Sequence, residues 1–245
     1  MKCMAFAKRN LKEIIRDPLT VFFGLGFPLV LLILLTAIQK NVPEPIFELD
    51  NLTPGIAVFG LSFISLFSAT LISKDRTSSF LMRLFSSPLT SSDFIFGYTL
   101  PLLPVAILQS IICFLFAMLL GMEVTINVVY AILFLIPVAV LFIGIGLLCG
   151  TVFNDKQVGG ICGALLTNLS AWLSGTWFDL DLVGGTFKVI AYLLPFVHAV
   201  NMVRGALHGD FTGVFTNLLW VLIYALIIFT VAIIIFKKKM KSGNV

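Results

Sequence analysis

Charged residues are scarce in this chain. Asp, Glu, Lys and Arg make up 11% of its 245 residues, against about 25% in ordinary soluble domains. Hydrophobic residues make up 59%, and a soluble protein of this size has no core large enough to bury that much apolar surface. The composition therefore excludes a soluble domain and predicts a protein whose solvent is largely lipid.

Motifs for catalysis and cofactor binding are also missing. The sequence has no G-x-x-x-x-G-K-[ST] pattern, so the chain is not expected to hydrolyse ATP by itself. Only His208 of the two histidines has a metal-ligating residue at close spacing, Asp210, and one such pair predicts no metal site. The apolar segments hold neither a nucleophile–base pair nor paired aspartates. The chain is predicted not to be an enzyme and to bind no cofactor or metal.

Disulfides and an ion relay inside the membrane are not predicted either. The four cysteines lie in the N-terminal segment or inside apolar runs, where they are typical small buried hydrophobes. All twelve acidic residues fall in loops or at helix ends. A proton- or sodium-driven carrier is expected to hold such groups within its spans, so this class is disfavoured.

Long continuous apolar runs are the main feature present. Several exceed the ~20 residues that a membrane-spanning helix needs, and they lack the alternation of membrane β-strands. The sequence predicts an all-α polytopic membrane protein, a single domain over 1–245 with six transmembrane helices. The predicted spans are about 19–38, 54–72, 94–120, 128–150, 158–178 and 215–236.

The N-terminal residues 1–17 are predicted to form an amphipathic helix lying in the membrane interface. Asp17-Pro18 ends it, because the residue before a proline avoids the α region. One face carries Lys8, Arg9, Lys12, Glu13 and Arg16, and the apolar face carries Met4, Ala7, Leu11, Ile14 and Ile15. A cleaved signal peptide is the rival interpretation, but the following apolar run is too long for it.

The distribution of basic residues predicts the orientation. With the N-terminus inside, only Lys40, Lys188 and Arg204 fall outside the cytoplasmic segments. Residues 186–207, read as a seventh span, would place two of these in the bilayer, at about 2.5–3.5 kcal/mol for each central charge. They are predicted instead to form a re-entrant helical pair on the extracellular side, broken at Pro195. Both termini then face the cytoplasm, and the plasma membrane is the expected location.

The segment 74–93 is predicted to be a cytoplasmic coupling loop. Phe80, Leu81, Leu84 and Phe85 share one helical face beside Arg76 and Arg83, and Pro88 ends that helix. Such a helix can insert into a groove on a soluble partner. The alternative interpretation is a solvated loop with an interfacial anchor.

Polar residues within the spans have two interpretations. Candidates for a substrate pathway are Ser62, Ser65, Ser68, Asn168, Trp172 and Trp177. Hydroxylated residues also let membrane helices pack closely, and G-x-x-x-G spacings at Gly146/Gly150 and Gly159/Gly163 favour packing for the fourth and fifth spans. Trp172 and Trp177 are also typical of an interfacial aromatic belt.

Several of these residues together resemble the ABC-2 type exporter permeases. Asp75-Arg76, then Leu84, Ser87-Pro88-Leu89 and Gly97, is similar to that family's signature, although Thr77 and Ser78 stand where Glu and Gly are usual. The likeness continues in four further stretches: Arg9–Glu13 with Arg16-Asp17-Pro18, Phe27-Pro28, Thr53–Ile56, and Leu194-Pro195 with His198-Ala199-Val200 and Arg204.

The resemblance implies a permease subunit that pairs with a second copy, identical or related, and with separate ATPase subunits that carry ATP and Mg. It implies an exporter in the membrane lipid, of a drug-resistance type, with an amphipathic or hydrophobic substrate such as a drug, an antibiotic or a lipid-like molecule. Nucleic acid is not an expected partner. The implied ATPase contacts are Lys8, Lys12, Arg16, Asp75, Arg76, Phe80, Arg83, Leu84 and Pro88.

Other functions stay open. Within the same class, the substrate is alternatively a polysaccharide or lipid-linked glycan. Outside it, the chain is alternatively a carrier that needs no ATP, or a membrane immunity protein that protects its host.

Overall fold

A computed structural model of the chain describes residues 2–18, 22–41, 47–77 and 91–242. The described part is almost wholly helical and contains no strand. The first half contains α1 (Lys2–Arg16), a π-helical segment (Phe22–Gly26) that runs into α2 (Phe27–Gln39), α3 (Leu49–Thr77), α4 (Ser91–Leu120) and α5 (Asn127–Val152). The second contains α6 (consecutive segments Asp155–Val158, π-helical Gly159–Leu166 and Thr167–Leu173), α7 (Leu180–Val183), α8 (Gly185–Leu193), α9 (Pro195–His208) and α10 (Val214–Ser242).

Five helical stretches in the described ranges are long and apolar enough to cross a membrane. They are Phe22–Gln39, Leu49–Arg76, Asp93–Leu120, Asn127–Val152 and Val214–Lys239. A sixth candidate is the pair α8 and α9, which together pass the same test but are bent by 78°. The predicted all-α polytopic membrane fold, with a bent helical pair before the last span, is confirmed.

The bend between α8 and α9 follows from Pro195. Leu194 has φ −97° and ψ 156°, so it is extended rather than helical, as expected for a residue before proline. Pro195 then occupies the first turn of α9, where its missing N–H is not needed. Gly209 ends α9 at φ 74°, in the left-handed conformation that favours glycine. The break expected in 186–207 is therefore caused by the local backbone preferences of Pro195 and of the residue before it.

Two boundaries differ from the sequence-based ones. The predicted fifth span 158–178 corresponds to α6, whose last helical residue is Leu173. The stretch is not among the five in the described ranges that are both long and apolar enough to cross a membrane. The helix α3 continues to Thr77, so the first residues of the predicted loop 74–93 are helical, and 78–90 lie outside the described residues. The apolar run ends at the charged residues from Lys74 onward, whereas the helix continues through them to Thr77. Which segments cross the bilayer, and from which side, stays a prediction.

The helix α3 lies at the centre of the bundle. Of its apolar stretch 89% is buried, compared with 22% for the stretch that ends in α2 and 17% for α10. It lies against α5 at Gly146 and Gly150, where an added Cβ would stand 2.3 Å from the carbonyl oxygen of Ser65 and 2.5 Å from that of Ala69.

Candidate functional site

A polar cluster around Asp75 joins three helices at the C-terminal end of α3. The Asp75 side chain is 3% exposed, and both carboxylate oxygens accept from Arg9 of α1: Nη1 donates to Oδ2 at 2.7 Å and Nη2 to Oδ1 at 2.9 Å. The hydroxyl of Tyr98, on α4, donates to Oδ2 at 2.9 Å. The buried carboxylate is thus satisfied by a bidentate arginine and a phenol, a strong and directional arrangement.

Arg9 is held from a second side by its own helix. It forms an ion pair with Glu13 at 2.7 Å, one turn along α1, and its Nη1 also donates to the Asn10 carbonyl oxygen Oδ1 at 2.9 Å. Partial burial acts to lower the pKa of Arg9, but the hydrogen bond and charge of Asp75 outweigh it, so the pKa is raised. Arg9 therefore stays charged in this cluster at any physiological pH.

The side of α1 that packs on the bundle differs in part from the predicted apolar face. Phe6, Ala7, Asn10 and Ile14 are buried, whereas Met4 is 67% and Ile15 62% exposed. The Phe6 ring meets Tyr98 edge to face, with centroids 4.9 Å apart. Sequence analysis missed Phe6, Asn10 and Tyr98. The four-residue spacing of Phe6, Asn10 and Ile14 was the available signal, but the amide of Asn10 concealed it.

Gly97 lets α1 approach α4 closely. A Cβ at this position would stand 2.2 Å from Cδ1 of Phe6. The carbonyl oxygen of Gly97 accepts from Nδ2 of the buried Asn10 at 3.0 Å. One glycine thus provides both the space and the acceptor that fix α1 against the bundle.

The opposite side of α1 is basic. Lys8, Lys12 and Arg16 are exposed, as the sequence predicts for the polar face. Together with Lys74 they line a broad cleft of about 970 Å³, which also contains Arg9, Glu13 and Asp17. This cleft presents mainly positive charge, as a surface for an acidic partner requires. That such a partner is an ATPase stays a prediction.

Arg76 is directed into the bundle. Its Nη1 donates to the carbonyl oxygens of Gly150 at 2.9 Å, Thr151 at 2.7 Å and Phe153 at 3.1 Å, all at the C-terminal end of α5. Lys239 of α10 donates to the Thr151 oxygen from the other side at 2.8 Å. Cations are favourable where the last helical carbonyls have no intrahelical partner. The geometry therefore gives Arg76 an intramolecular role, and its predicted contact with an ATPase stays a prediction.

Replacing Arg76 by glutamine is expected to lower the free energy of unfolding by about 1–2 kcal/mol. Hydrogen bonds from a charged donor contribute about 1.5–3 kcal/mol, and Lys239 still reaches one of the carbonyls. Thermal unfolding in detergent measures the loss, with the exposed Lys156→Gln as the control. Equal shifts in the two variants would show that the carbonyl contacts contribute nothing.

The three predicted pathway serines are buried between helices. Ser62 and Ser65 donate to backbone oxygens one turn earlier on α3, each at 2.6 Å. Ser68 donates across to the Ile143 oxygen of α5 at 3.3 Å. All three have 0% exposure, so this geometry matches the helix-packing interpretation. Their role in a substrate pathway stays a prediction.

The other three pathway candidates lie in the last segment of α6 and in the turn after it. Asn168 is exposed and donates to the Ala164 oxygen at 2.8 Å, and Trp172 is 55% exposed. Trp177 is half-buried beside Phe59, with ring centroids 5.7 Å apart. Trp177 lines a cavity of about 530 Å³ between the start of α3, the turn after α6, and α9.

Four predicted coupling residues lie outside the described residues: Phe80, Arg83, Leu84 and Pro88. The structure therefore places the two ends of their segment, at Thr77 and Ser91, and their predicted contact with an ATPase stays untested.

Comparison with known proteins agrees with this architecture. The family model described as "ABC-2 type transporter" matches residues 1–208. The chain is also similar to a protein of Cyanophora paradoxa named "Putative transport permease ycf38", with 27% identity over 257 aligned residues. That alignment takes in 96% of this chain and 87% of the relative.

Proposed function

Because the chain belongs to the ABC-2 type transporter family, we propose that it is the membrane subunit of an exporter that a separate ATPase drives. In this proposal two copies, identical or related, form the transport unit in the plasma membrane, with both termini on the side of the ATPase. ATP and Mg belong to the partner chain. The substrate is amphipathic or hydrophobic: a drug, an antibiotic or a lipid-like molecule.

One observation carries the coupling part of the proposal, the Arg9–Asp75–Tyr98 cluster. A partner that pushes on the basic face of α1 acts on a helix whose Arg9 binds Asp75 of α3. Asp75 in turn accepts from Tyr98 of α4, and Asn10 of α1 donates to the Gly97 oxygen of α4. The bidentate pair and the Phe6–Gly97 contact resist sliding of α1 over the bundle. Displacement of α1 is therefore passed to two spans as one movement, the kind of contiguous contact that long-range coupling needs.

The charges divide into two roles under this proposal. Lys8, Lys12 and Arg16 face outward and meet acidic groups on the ATPase, where they set orientation and encounter rate. Asp75 and Arg76 hold helix ends together inside the bundle. Asp75 thus transmits the movement and does not itself touch the partner.

Reversing the outward charges tests the proposed ATPase contact. The double variant Lys8→Glu/Lys12→Glu is expected to weaken retention of the ATPase at least about tenfold, the equivalent of 1.4 kcal/mol. Tagged protein is purified from membranes that contain the candidate ATPase, recognised by its Walker motif. The ratio of the two subunits is then measured over a salt series.

The matched control is Lys237→Glu/Lys238→Glu, which reverses two exposed lysines near the end of α10. It is expected to leave retention within about twofold. Phe80→Ala, in the predicted coupling loop, is expected to weaken retention independently of salt, because it removes an apolar contact. If both double variants lose the ATPase equally, its retention depends only on nonspecific charge attraction, and the proposed contact with Lys8 and Lys12 is contradicted.

A further inference from the structure

A second cavity lies at the end of α3 away from Asp75. Its walls are the first turns of α3, the turn Ser174–Leu180 after α6, and one side of α9. Its volume of about 530 Å³ is within the ~300–1,000 Å³ range of small-molecule sites. The cavity is therefore large enough for a headgroup and the start of a chain.

Arg204, on α9, lines this cavity. Its Nε donates to the Asn51 carbonyl oxygen at 2.9 Å and its Nη2 to that of Gly175 at 3.0 Å. Both acceptors are neutral, and a guanidinium has five N–H donors. Within the described ranges no carboxylate lies within 4.0 Å of Arg204. Its charge is thus positioned by two carbonyls and retains donors for an anion.

Among the described residues that line the same cavity, the acidic one is Asp179. Its side chain is exposed, and Oδ1 accepts the backbone N–H of Asp181 at 2.9 Å as the cap of α7. Charge exposed to water is screened more strongly than partly buried charge. Asp179 attracts Arg204, but its exposure to water weakens this attraction, so the positive charge of Arg204 is only partly balanced and favours a further anion.

Apolar side chains surround this charge. Phe47, Trp177 and Phe178 line the cavity, and Leu182 lies in its lining with 85% exposure. Exposed apolar side chains continue from there along α7 and α8: Val183, Val189, Ile190 and Leu193. A ligand with an anionic head and an acyl tail fits this arrangement: the head would lie beside Arg204 and the tail along the apolar side chains of α7 and α8.

We propose that the cavity binds the anionic group of an amphipathic molecule, a phosphate or carboxylate on an acyl chain, with Arg204 as its charge partner. The two sources of this chemistry are a phospholipid of the bilayer and a free amphiphile. Binding here does not depend on ATPase coupling, so it is tested with the permease alone.

Trp177 is the reporter for the test. Trp172→Phe and Trp220→Phe leave it as the sole tryptophan. The protein is placed in phosphatidylcholine nanodiscs that contain either brominated phosphatidylglycerol or brominated phosphatidylcholine. Trp177 emission is expected to be quenched by the brominated phosphatidylglycerol at about tenfold lower mole fraction, the effect of one charge-assisted contact. Equal quenching by the two lipids, with no effect of dodecyl phosphate on Trp177 emission, overturns the proposal.

Variants then assign the effect to Arg204. Arg204→Gln is expected to abolish the preference and Arg204→Lys to retain part of it. Lys188→Gln, a basic residue of α8 that pairs with Asp181, is expected to leave it unchanged. Asn201→Asp adds negative charge to the cavity lining, keeps Arg204 and its carbonyl bonds, and is expected to reduce the preference even if Arg204→Gln fails to fold.

The source is resolved by dodecyl phosphate. If dodecyl phosphate restores Trp177 emission after quenching, it has displaced the brominated lipid, and a bilayer lipid is identified as a ligand. A change in Trp177 emission with dodecyl phosphate, without quenching by the brominated lipids, identifies a free amphiphile. A preference that survives in folded Asn201→Asp and Arg204→Gln proteins, or that favours phosphatidylcholine over phosphatidylglycerol, contradicts the assignment.

Discussion

Replacing Asp75 by alanine is expected to lower the free energy of unfolding by about 2–4 kcal/mol and to release α1 from the bundle. The substitution leaves the Tyr98 hydroxyl, on a side chain with 0% exposure, without its acceptor. It also removes both carboxylate bonds of Arg9. The loss is smaller than for a fully buried pair, because Arg9 is partly exposed and keeps Glu13.

Two measurements distinguish a loss of overall stability from a local detachment of α1. Thermal unfolding in detergent gives the stability change, and limited trypsin digestion at Lys8 and Lys12 reports whether α1 opens. Faster cleavage is expected well below the unfolding temperature, since local opening requires only part of the total free energy.

Asp155→Ala is the matched control. It removes an exposed carboxylate near the same end of α3, where it accepts one hydrogen bond from Ser73 at 3.1 Å. Its effect is expected to stay below about 1 kcal/mol. A second check is Tyr98→Phe, which removes one of the three bonds and keeps the arginine pair. If α1 remains as protected in Asp75→Ala as in the unchanged protein, the cluster does not hold the helix.

Replacing Gly146 by alanine is expected to cost about 3 kcal/mol or more and to reduce the yield of folded protein. The added Cβ would stand 2.3 Å from the carbonyl oxygen and 2.9 Å from the Cα of Ser65. These are backbone atoms of the central helix, so no side-chain rotation relieves the contact. The helices α3 and α5 have to move apart, and that separates the most buried part of the core. Thermal stability and monodispersity of the purified variant measure the effect.

Other glycines provide graded controls. An added Cβ at Gly144 meets the side chain of Phe229 at 2.7 Å, and that half-buried ring is free to rotate, so a smaller loss is expected. At Gly160 nothing lies within 4 Å, and alanine there is expected to be neutral or slightly stabilising in a helical segment. Similar losses at Gly146 and Gly160 would mean that the packing of α3 on α5 is not what limits stability.

Local sequence patterns predicted the elements well where the signal lies in consecutive residues. Apolar runs predicted the long helices, and Pro195 predicted the break between α8 and α9. The patterns did less well at α6, because the apolar residues after Leu173 lie in a turn and do not continue the helix. They did not show that the helix α3 continues to Thr77, into the predicted loop 74–93, since charges that close a helix end look the same in sequence as charges in a loop.

The intramolecular contacts of Asp75 and Arg76 did not follow from the sequence pattern. Asp75 and Arg76 are adjacent, and both were assigned to one partner surface. In the structure Asp75 binds Arg9, 66 residues away, and Arg76 binds backbone oxygens up to 77 residues away. Successive residues on a helix point about 100° apart, so neighbours in sequence meet different helices.

By itself the sequence determined that this protein lies in a membrane. It also determined the number of long apolar helices in the described residues to within one, and the clustering of the basic residues. These properties depend on transfer free energies and backbone chemistry, which act residue by residue. Only the tertiary structure decided that Ser65 and Ser68 of α3 pack on Gly146. It also decided that Arg9 and Tyr98 share the Asp75 carboxylate, and that Arg204 lines a cavity with aromatic walls. Those outcomes depend on which helix faces meet, and most faces of a membrane helix are equally apolar, so the pairing is settled by shape and by a few polar contacts.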